Sequence, residues 1–293
     1  MAQELKTRSV SEIIPSQSVM EGGGVSVRRA FPSPRREDVD PFLLFDHLGP
    51  YEIKPGDSTG FPDHPHRGFE TVTYVLEGQM EHKDSFGHHG FIGPGDVQWM
   101  SAGSGLVHSE MPGSDLVRTG GRLHGFQIWV NLPKRDKMMA PLYQELKASE
   151  IPVAESPAKD VKVRIVAGFA FGRKGAVTTR IPITYLHLTL APGANYTQAV
   201  PRSQNAIAYV ISGQARFTGI ADPVSEGNAA LFAHDGDEIT FSNAVSGPVD
   251  VLLLAGEPLN EPVARYGPFV MNTRAEIGQA VDDYRSGKMG SIG

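Results

Sequence analysis

The segment HPHRGFETVTYVLEG, residues 64–78, combines two features. Its second part, from Phe69 to Glu77, is a run of β-branched and aromatic residues closed by Gly78, the composition of a strand ending in a turn. Its first part, His64-Pro65-His66, sets two imidazoles two positions apart. On a strand, side chains i and i+2 share a face, so both rings point the same way. A second pair of this kind, His108-Ser109-Glu110, lies in GPGDVQWMSAGSGLVHSEMP (93–112). A single His-x-His is equally met by two exposed strand residues. Two pairs together supply three imidazoles and a carboxylate, a mixed N/O donor set for one divalent first-row transition metal. His64, His66, His108 and Glu110 are therefore the candidate ligands. Glu70 has the parity of His64 and His66 and is a candidate outer partner of the site.

Outward from this segment, Gly, Pro and Asp punctuate short apolar runs at intervals of about 8–12 residues, the spacing of an all-β sandwich or barrel. Three motifs recur in order. Tyr74-Val75-Leu76-Glu77-Gly78-Gln79 resembles Tyr209-Val210-Ile211-Ser212-Gly213-Gln214, Lys54-Pro55-Gly56 resembles Ala191-Pro192-Gly193, and Gly95-Asp96-Val97 more weakly resembles Gly227-Asn228-Ala229. Their collinearity predicts a duplicated β domain. The expected division is a metal-binding domain over residues 1–135, a linker over 136–160 and a second domain over 161–293. Carried across the repeat, His64, His66 and Glu70 fall on Ala199, Pro201 and Asn205, and His108 and Glu110 on Thr240 and Ser242. None of these replaces an imidazole or carboxylate, so metal is expected in the first domain only. Thr273-Arg274-Ala275-Glu276 matches a capping box. Ile277, Ala280, Val281 and Tyr284 follow at helical spacing and Gly287 at the end, which predicts a short C-terminal amphipathic helix.

A net charge of −6 argues against direct nucleic-acid binding. Arg28-Arg29 and Arg35-Arg36 read as solvated surface or loop anchors. With no cysteine, neither disulfides nor thiolate ligands are available. The start, MAQELKTRSV, has no apolar core of a signal peptide, and the most apolar run, near Val249 to Ala255, is too short to span a bilayer. A cytoplasmic protein without membrane contact is expected. Of the other histidines, His82, His88 and His89 flank a hairpin turn at Asp84-Ser85-Phe86-Gly87 and read as exposed loop residues. His47 and His124 sit among apolar residues and read as buried rings bonded to backbone. Phe61, Phe69, Phe91, Trp99 and Met100 are candidate pocket walls, of which strand alternation turns half away.

The segments 64–78 and 93–112, together with DPFLLFDHLGP (40–50), LHGFQIWVNLP (123–133) and YGPFVMNT (266–273), resemble the pirin family, a group of two-domain cupins. The resemblance implies a bicupin fold: two tandem cupin-type β-barrels or sandwiches with a short C-terminal helix. It implies the same four ligands, His64, His66, His108 and Glu110, with Glu70 left out of the metal shell although many cupins use that position. It implies Fe(II) as the ion; ligand type alone leaves Mn, Ni, Cu and Zn open. Four protein ligands would close a tetrahedral zinc site, whereas an octahedral ion keeps two open positions. Pirin-like proteins are similar to quercetin 2,3-dioxygenases, which implies flavonol ring opening by dioxygen with release of carbon monoxide, Glu110 acting as ligand and base. Animal pirins imply the alternative, a metal-bearing regulatory protein with a protein partner and no turnover.

Overall fold

Period-two patterning becomes antiparallel sheet almost throughout. In Val161–Ala167, for example, Val161, Val163 and Ile165 are buried while Lys162 is exposed. The computed structural model describes residues 5–292; residues 1–4, part of the start read above for a leader, and residue 293 lie outside the described residues.

The chain forms two compact units. The first comprises Gln17–Pro32, Phe42–Ala148 and Leu259–Gly293, and the second comprises the segment up to Ser16, Ser33–Pro41 and Ser149–Pro258. Within the first unit, a seven-stranded sheet runs in the order Leu142–Leu146, Val97–Ser101, Phe69–Glu77, Gly121–Asn131, Phe42–Ile53, Val25–Phe31, Gln17–Glu21. A four-stranded sheet runs Phe61–His66, Leu106–Pro112, Met80–Asp84, His89–Ile92. Val25, Val27, Leu48, Val75, Met80 and Ile92 form a core cluster from both sheets. Each such side chain, fully buried, stabilises the fold by roughly 1.5–3 kcal/mol.

The second unit repeats the plan. Its seven-stranded sheet runs Val10–Pro15, Asn228–Phe232, Asn205–Ser212, Val249–Gly256, Ile183–Leu190, Val161–Ala167, Val153–Glu155. Its four-stranded sheet runs Asn195–Ala199, Glu238–Asn243, Gln214–Arg216, Val224–Ser225. Tyr74 and Tyr209 occupy corresponding strands, as the repeat requires.

Both ends depart from the sequential division 1–135, 136–160, 161–293. Val10–Pro15 pairs with Asn228–Phe232 in the second unit, and the residues from Leu259 onward build into the first. The stretch read as linker is structured: Leu142–Leu146 pairs with Val97–Ser101, and Val153–Glu155 with Val161–Ala167. A sheet edge leaves unpaired N–H and C=O groups that any extended segment satisfies, and local pattern does not say which edge a segment joins. The C-terminal helix is Arg274–Arg285, with Thr273 and Glu276 making the reciprocal capping box. Gly287 follows at φ 77°, the left-handed conformation that glycine adopts without strain. No helix among the described residues is long and apolar enough to cross a membrane.

Candidate metal centre

Phe61–His66 lies antiparallel to Leu106–Pro112, with His64 opposite His108 and His66 opposite Leu106. This register converts two i, i+2 pairs into one cluster. The ring centroids are 4.3 Å apart for His64 and His108, 4.7 Å for His64 and His66, and 4.7 Å for His66 and His108. One ring nitrogen from each histidine falls within 4.8 Å of the other two. His64 Nδ1 lies 2.7 Å from the Pro62 carbonyl, which fixes Nδ1–H as donor and leaves Nε2, 3.1 Å from His66 Nε2, with the lone pair that ligates a metal.

The surroundings suit a cation. His66 and His108 are 2% and 0% exposed, and neither ring nitrogen of His108 has a hydrogen-bond partner. A buried polar atom left unpaired costs about 1–3 kcal/mol, which coordination removes. Burial, then the charge of His64, holds His66 well below its ordinary pKa, with the Pro268 carbonyl acting weakly the other way. Burial, then His64, His66 and His82, does the same to His108. Both rings are therefore neutral near neutral pH, the form that binds metal.

The other two expected carboxylates lie differently. A register shift separates His108 from Glu110, which pairs with Phe61. Glu110 does not join the close group of three. Its Oε1 accepts the Thr73 hydroxyl at 2.7 Å and its Oε2 the Gln127 amide at 2.6 Å. The Gln127 carbonyl oxygen in turn accepts the Trp129 indole N–H at 3.3 Å, which fixes the orientation of the amide. Glu70, 3% exposed, accepts the Ser101 hydroxyl at 2.5 Å and is outside the group of three. Its parity with His64 and His66 does not survive, because Gly68, at φ 88°, breaks the strand between them and Glu70 starts in the other sheet.

Several readings of neighbouring residues change. His88 and His89 are exposed as expected, but His82 is 0% exposed and pairs in register with Glu110. The turn begins only after Asp84, so His82 is already an inward position of Met80–Asp84. Its Nε2 is 3.8 Å from Asp84 Oδ2, too far for a hydrogen bond. Burial lowers its pKa, and Glu110, Asp84 and Glu145 oppose the shift. His47 is buried as expected, and its Nε2 meets His124 Nε2 at 2.6 Å. Arg29 is not a solvated surface residue: it forks onto Asp46 at 2.7 and 2.6 Å and also meets Glu21 at 2.7 Å.

An open cavity of about 540 Å³ borders the triad, lined by His64, His66, Phe61, Leu44, Gln127 and Trp129, with Arg29, Asp46 and Arg265 among its charged groups. Arg265 lies over the Trp129 ring at 5.2 Å. Of the five expected wall residues only Phe61 lines this cavity. Phe69 is buried behind Trp129, their rings 4.3 Å apart; Trp99 and Met100 are in the core and Phe91 is 38% exposed. Gln127 and Trp129 were missed. Their shared parity in LHGFQIWVNLP was visible, but not which sheet face it pointed to.

The Pirin family model matches residues 24–130, and the model of the Pirin C-terminal cupin domain matches residues 185–290. The chain belongs to the pirin family. It is 45% identical to Pirin of Homo sapiens over 288 residues, covering 97% of this chain and 94% of that protein. It is 44% identical to a pirin-like protein of Solanum lycopersicum over 285 residues, again covering 97% and 94%. A crystal structure described as quercetin 2,3-dioxygenase from Acinetobacter baumannii superposes with a TM-score of 0.92 at 35% identity, covering 98% of this chain and 100% of that one. The two repeated units are thus the two cupin domains of a pirin-family bicupin.

Proposed function

We propose that this pirin-family protein is a metal-dependent dioxygenase that opens flavonols such as quercetin by 2,3-dioxygenation with release of carbon monoxide, acting in the cytoplasm with Fe(II). The observation that carries this reading is the cavity of about 540 Å³ opening onto His64 and His66, a size suited to a drug-sized ligand. The match at 35% identity to a protein described as a quercetin 2,3-dioxygenase supports it. Among the described residues, the donor set of three imidazoles fits a divalent ion, with Glu110 proposed as a fourth ligand.

When bound, the ion supplies Lewis acidity and a template for substrate and dioxygen. The chain's own residues do the rest. Glu110 takes the proton of the flavonol 3-hydroxyl on a carboxylate oxygen, while Thr73 and Gln127 hold that carboxylate in place. Phe61, Leu44 and Trp129 offer apolar surface to a planar ring system. Arg265, stacked over Trp129, places positive charge beside the cavity, where a phenolate is favoured.

One observation favours the second reading, a metal-bearing regulatory protein without turnover: both oxygens of Glu110 are already engaged. Oxygen uptake by iron-loaded protein with a flavonol panel separates the two. Glu110→Gln should slow turnover by roughly a hundredfold to ten-thousandfold, with recovery at high pH where the flavonol ionises unaided. Unchanged turnover at matched metal content rules out Glu110 as base. No turnover in the unmutated protein favours the regulator.

A further inference from the structure

The guanidinium of Arg67 sits where three parts of the first unit meet. Arg67 directly follows His66, and its side chain is 5% exposed. Its Nε donates to the Ser104 carbonyl at 2.7 Å, in the turn that leads into the strand of His108. Its Nη1 donates to Asp283 Oδ2 at 2.9 Å, on helix Arg274–Arg285. One planar fork therefore joins the end of one ligand strand, the start of the other and the C-terminal helix. The backbone adds links of its own: Val270 N–H, in the strand Phe269–Met271 before the helix, donates to the Arg67 carbonyl at 3.0 Å, and Gly68 N–H to the Gly103 carbonyl at 2.9 Å. A Cβ at Gly68 would lie 2.0 Å from the Val270 carbonyl, so the approach is closer than any side chain permits. The ammonium of Lys137, 1% exposed, then bridges the Gly68 and Val270 carbonyls at 2.7 and 3.0 Å.

Beyond the helix, the chain returns to the second ligand strand. Ser85 Oγ donates to the Met289 carbonyl at 2.7 Å and accepts Val107 N–H at 3.1 Å. Met289, 2% exposed, packs with Val107 and Ala280. Val107 precedes His108 and turns to the opposite face of the sheet. Asp283 is also held by Gln279 and Lys288, each at 2.8 Å, so its carboxylate is fixed from three directions. The residues after Leu259 thus brace both ligand strands from behind.

Metal–nitrogen distances tolerate about ±0.2 Å, so small changes in the spacing of two ligand strands reach the ion directly. We propose that Arg67 and Asp283 are positioning residues of the metal centre: they fix His66 relative to His108, and the C-terminal helix thereby sets metal affinity. This rests on the metal reading of His64, His66 and His108.

The test is Co(II) titration of full-length, chelator-stripped protein, read by visible absorption and by quenching of Trp129, whose ring is 5.2 Å from that of His66. Asp283→Ala should weaken Co(II) binding by about tenfold, the low end of the effect of losing a group bonded directly to a ligand, because Asp283 acts through Arg67. Asp282→Ala, an exposed neighbour on the same helix, should change nothing. Arg67→Lys keeps the charge, but a lone ammonium does not reproduce the fork between Ser104 and Asp283. It should weaken binding in the same direction, and it decides the matter if Asp283→Ala does not fold. Co(II) is added well below the melting temperature of each variant. Unchanged affinity in the folded variants, with only the metal-free melting temperature lowered, would overturn the proposal and leave a purely structural ion pair. Failure of the unmutated protein to bind Co(II) at all would instead overturn the metal reading, and this inference with it.

Discussion

The two four-stranded sheets have the same strand order and opposite chemistry. In the first unit the buried positions of Phe61–His66, Leu106–Pro112 and Met80–Asp84 include His66, His108, Glu110 and His82. In the second, the corresponding strands Asn195–Ala199 and Glu238–Asn243 bury Tyr196, Gln198, Ile239 and Phe241. The polar groups of the second sheet satisfy one another: the Tyr196 hydroxyl donates to Gln198, whose amide donates to the Phe169 and Ala199 carbonyls at 3.0 Å. His108 in the first sheet keeps both nitrogens unpaired. One backbone plan has been filled once with apolar and mutually bonded side chains and once with a group of histidines that could hold a metal ion. Fold alone therefore says little about which unit works; the unsatisfied donors do.

A crossed pair of substitutions puts this contrast under the most strain. His108→Ala should abolish stoichiometric metal binding while the protein stays folded, because burial across the β core rather than the ion holds it together. Phe241→Ala should destabilise the second unit by about 3–5 kcal/mol and leave metal affinity unchanged. Both tryptophans, Trp99 and Trp129, belong to the first unit, so indole fluorescence reports that unit while circular dichroism reports both. Metal loss in Phe241→Ala, or retained stoichiometric metal in His108→Ala, would break the contrast.

A smaller effect concerns acid. Among the described residues, the buried histidines His47, His66, His82 and His108 all lie in the first unit, whereas His187 and His234 of the second are partly or fully exposed. Burial, then Arg28 and His124, draws His47 down to about 2. Its folded pKa lies below the unfolded value of about 6.5, so between these the unfolded chain binds more protons. The associated stability is present above about pH 6.5 and is lost as pH falls below it, at up to about 1.4 kcal/mol per pH unit per proton. In metal-free protein, tryptophan fluorescence should report acid unfolding of the first unit, and His47→Phe should make that pH dependence shallower. An unchanged slope in His47→Phe would show that this ring does not contribute.

Much of this was legible in the residues. Alternation, turn spacing and the capping box at Thr273 gave the strands, the duplication and the helix, because each depends on contacts close in sequence. The triad was legible because a strand's period of two is rigid. What failed depended on pairing between distant segments. The Val10–Pro15 strand could not announce its partner at Asn228–Phe232. The repeat offset placed Thr240 and Ser242 opposite the ligands, yet the buried face of that strand carries Ile239 and Phe241; a slip of one residue exchanges the faces. His82 was misassigned for a similar reason: the strand Met80–Asp84 runs on past it, so its side chain follows the strand's inward alternation rather than the loop. Lys137, within a charged stretch that reads as linker, is 1% exposed because three oxygen acceptors converge on it.

The central claim is that only the first of two matching sheets is a metal centre. Anomalous diffraction at the iron edge, from crystals grown anaerobically with Fe(II), addresses it most directly. The expected map shows one peak per chain, about 2.0–2.3 Å from a ring nitrogen of each of His64, His66 and His108. A peak beside Tyr196 and Phe241, or none at the triad in iron-loaded protein, would contradict it.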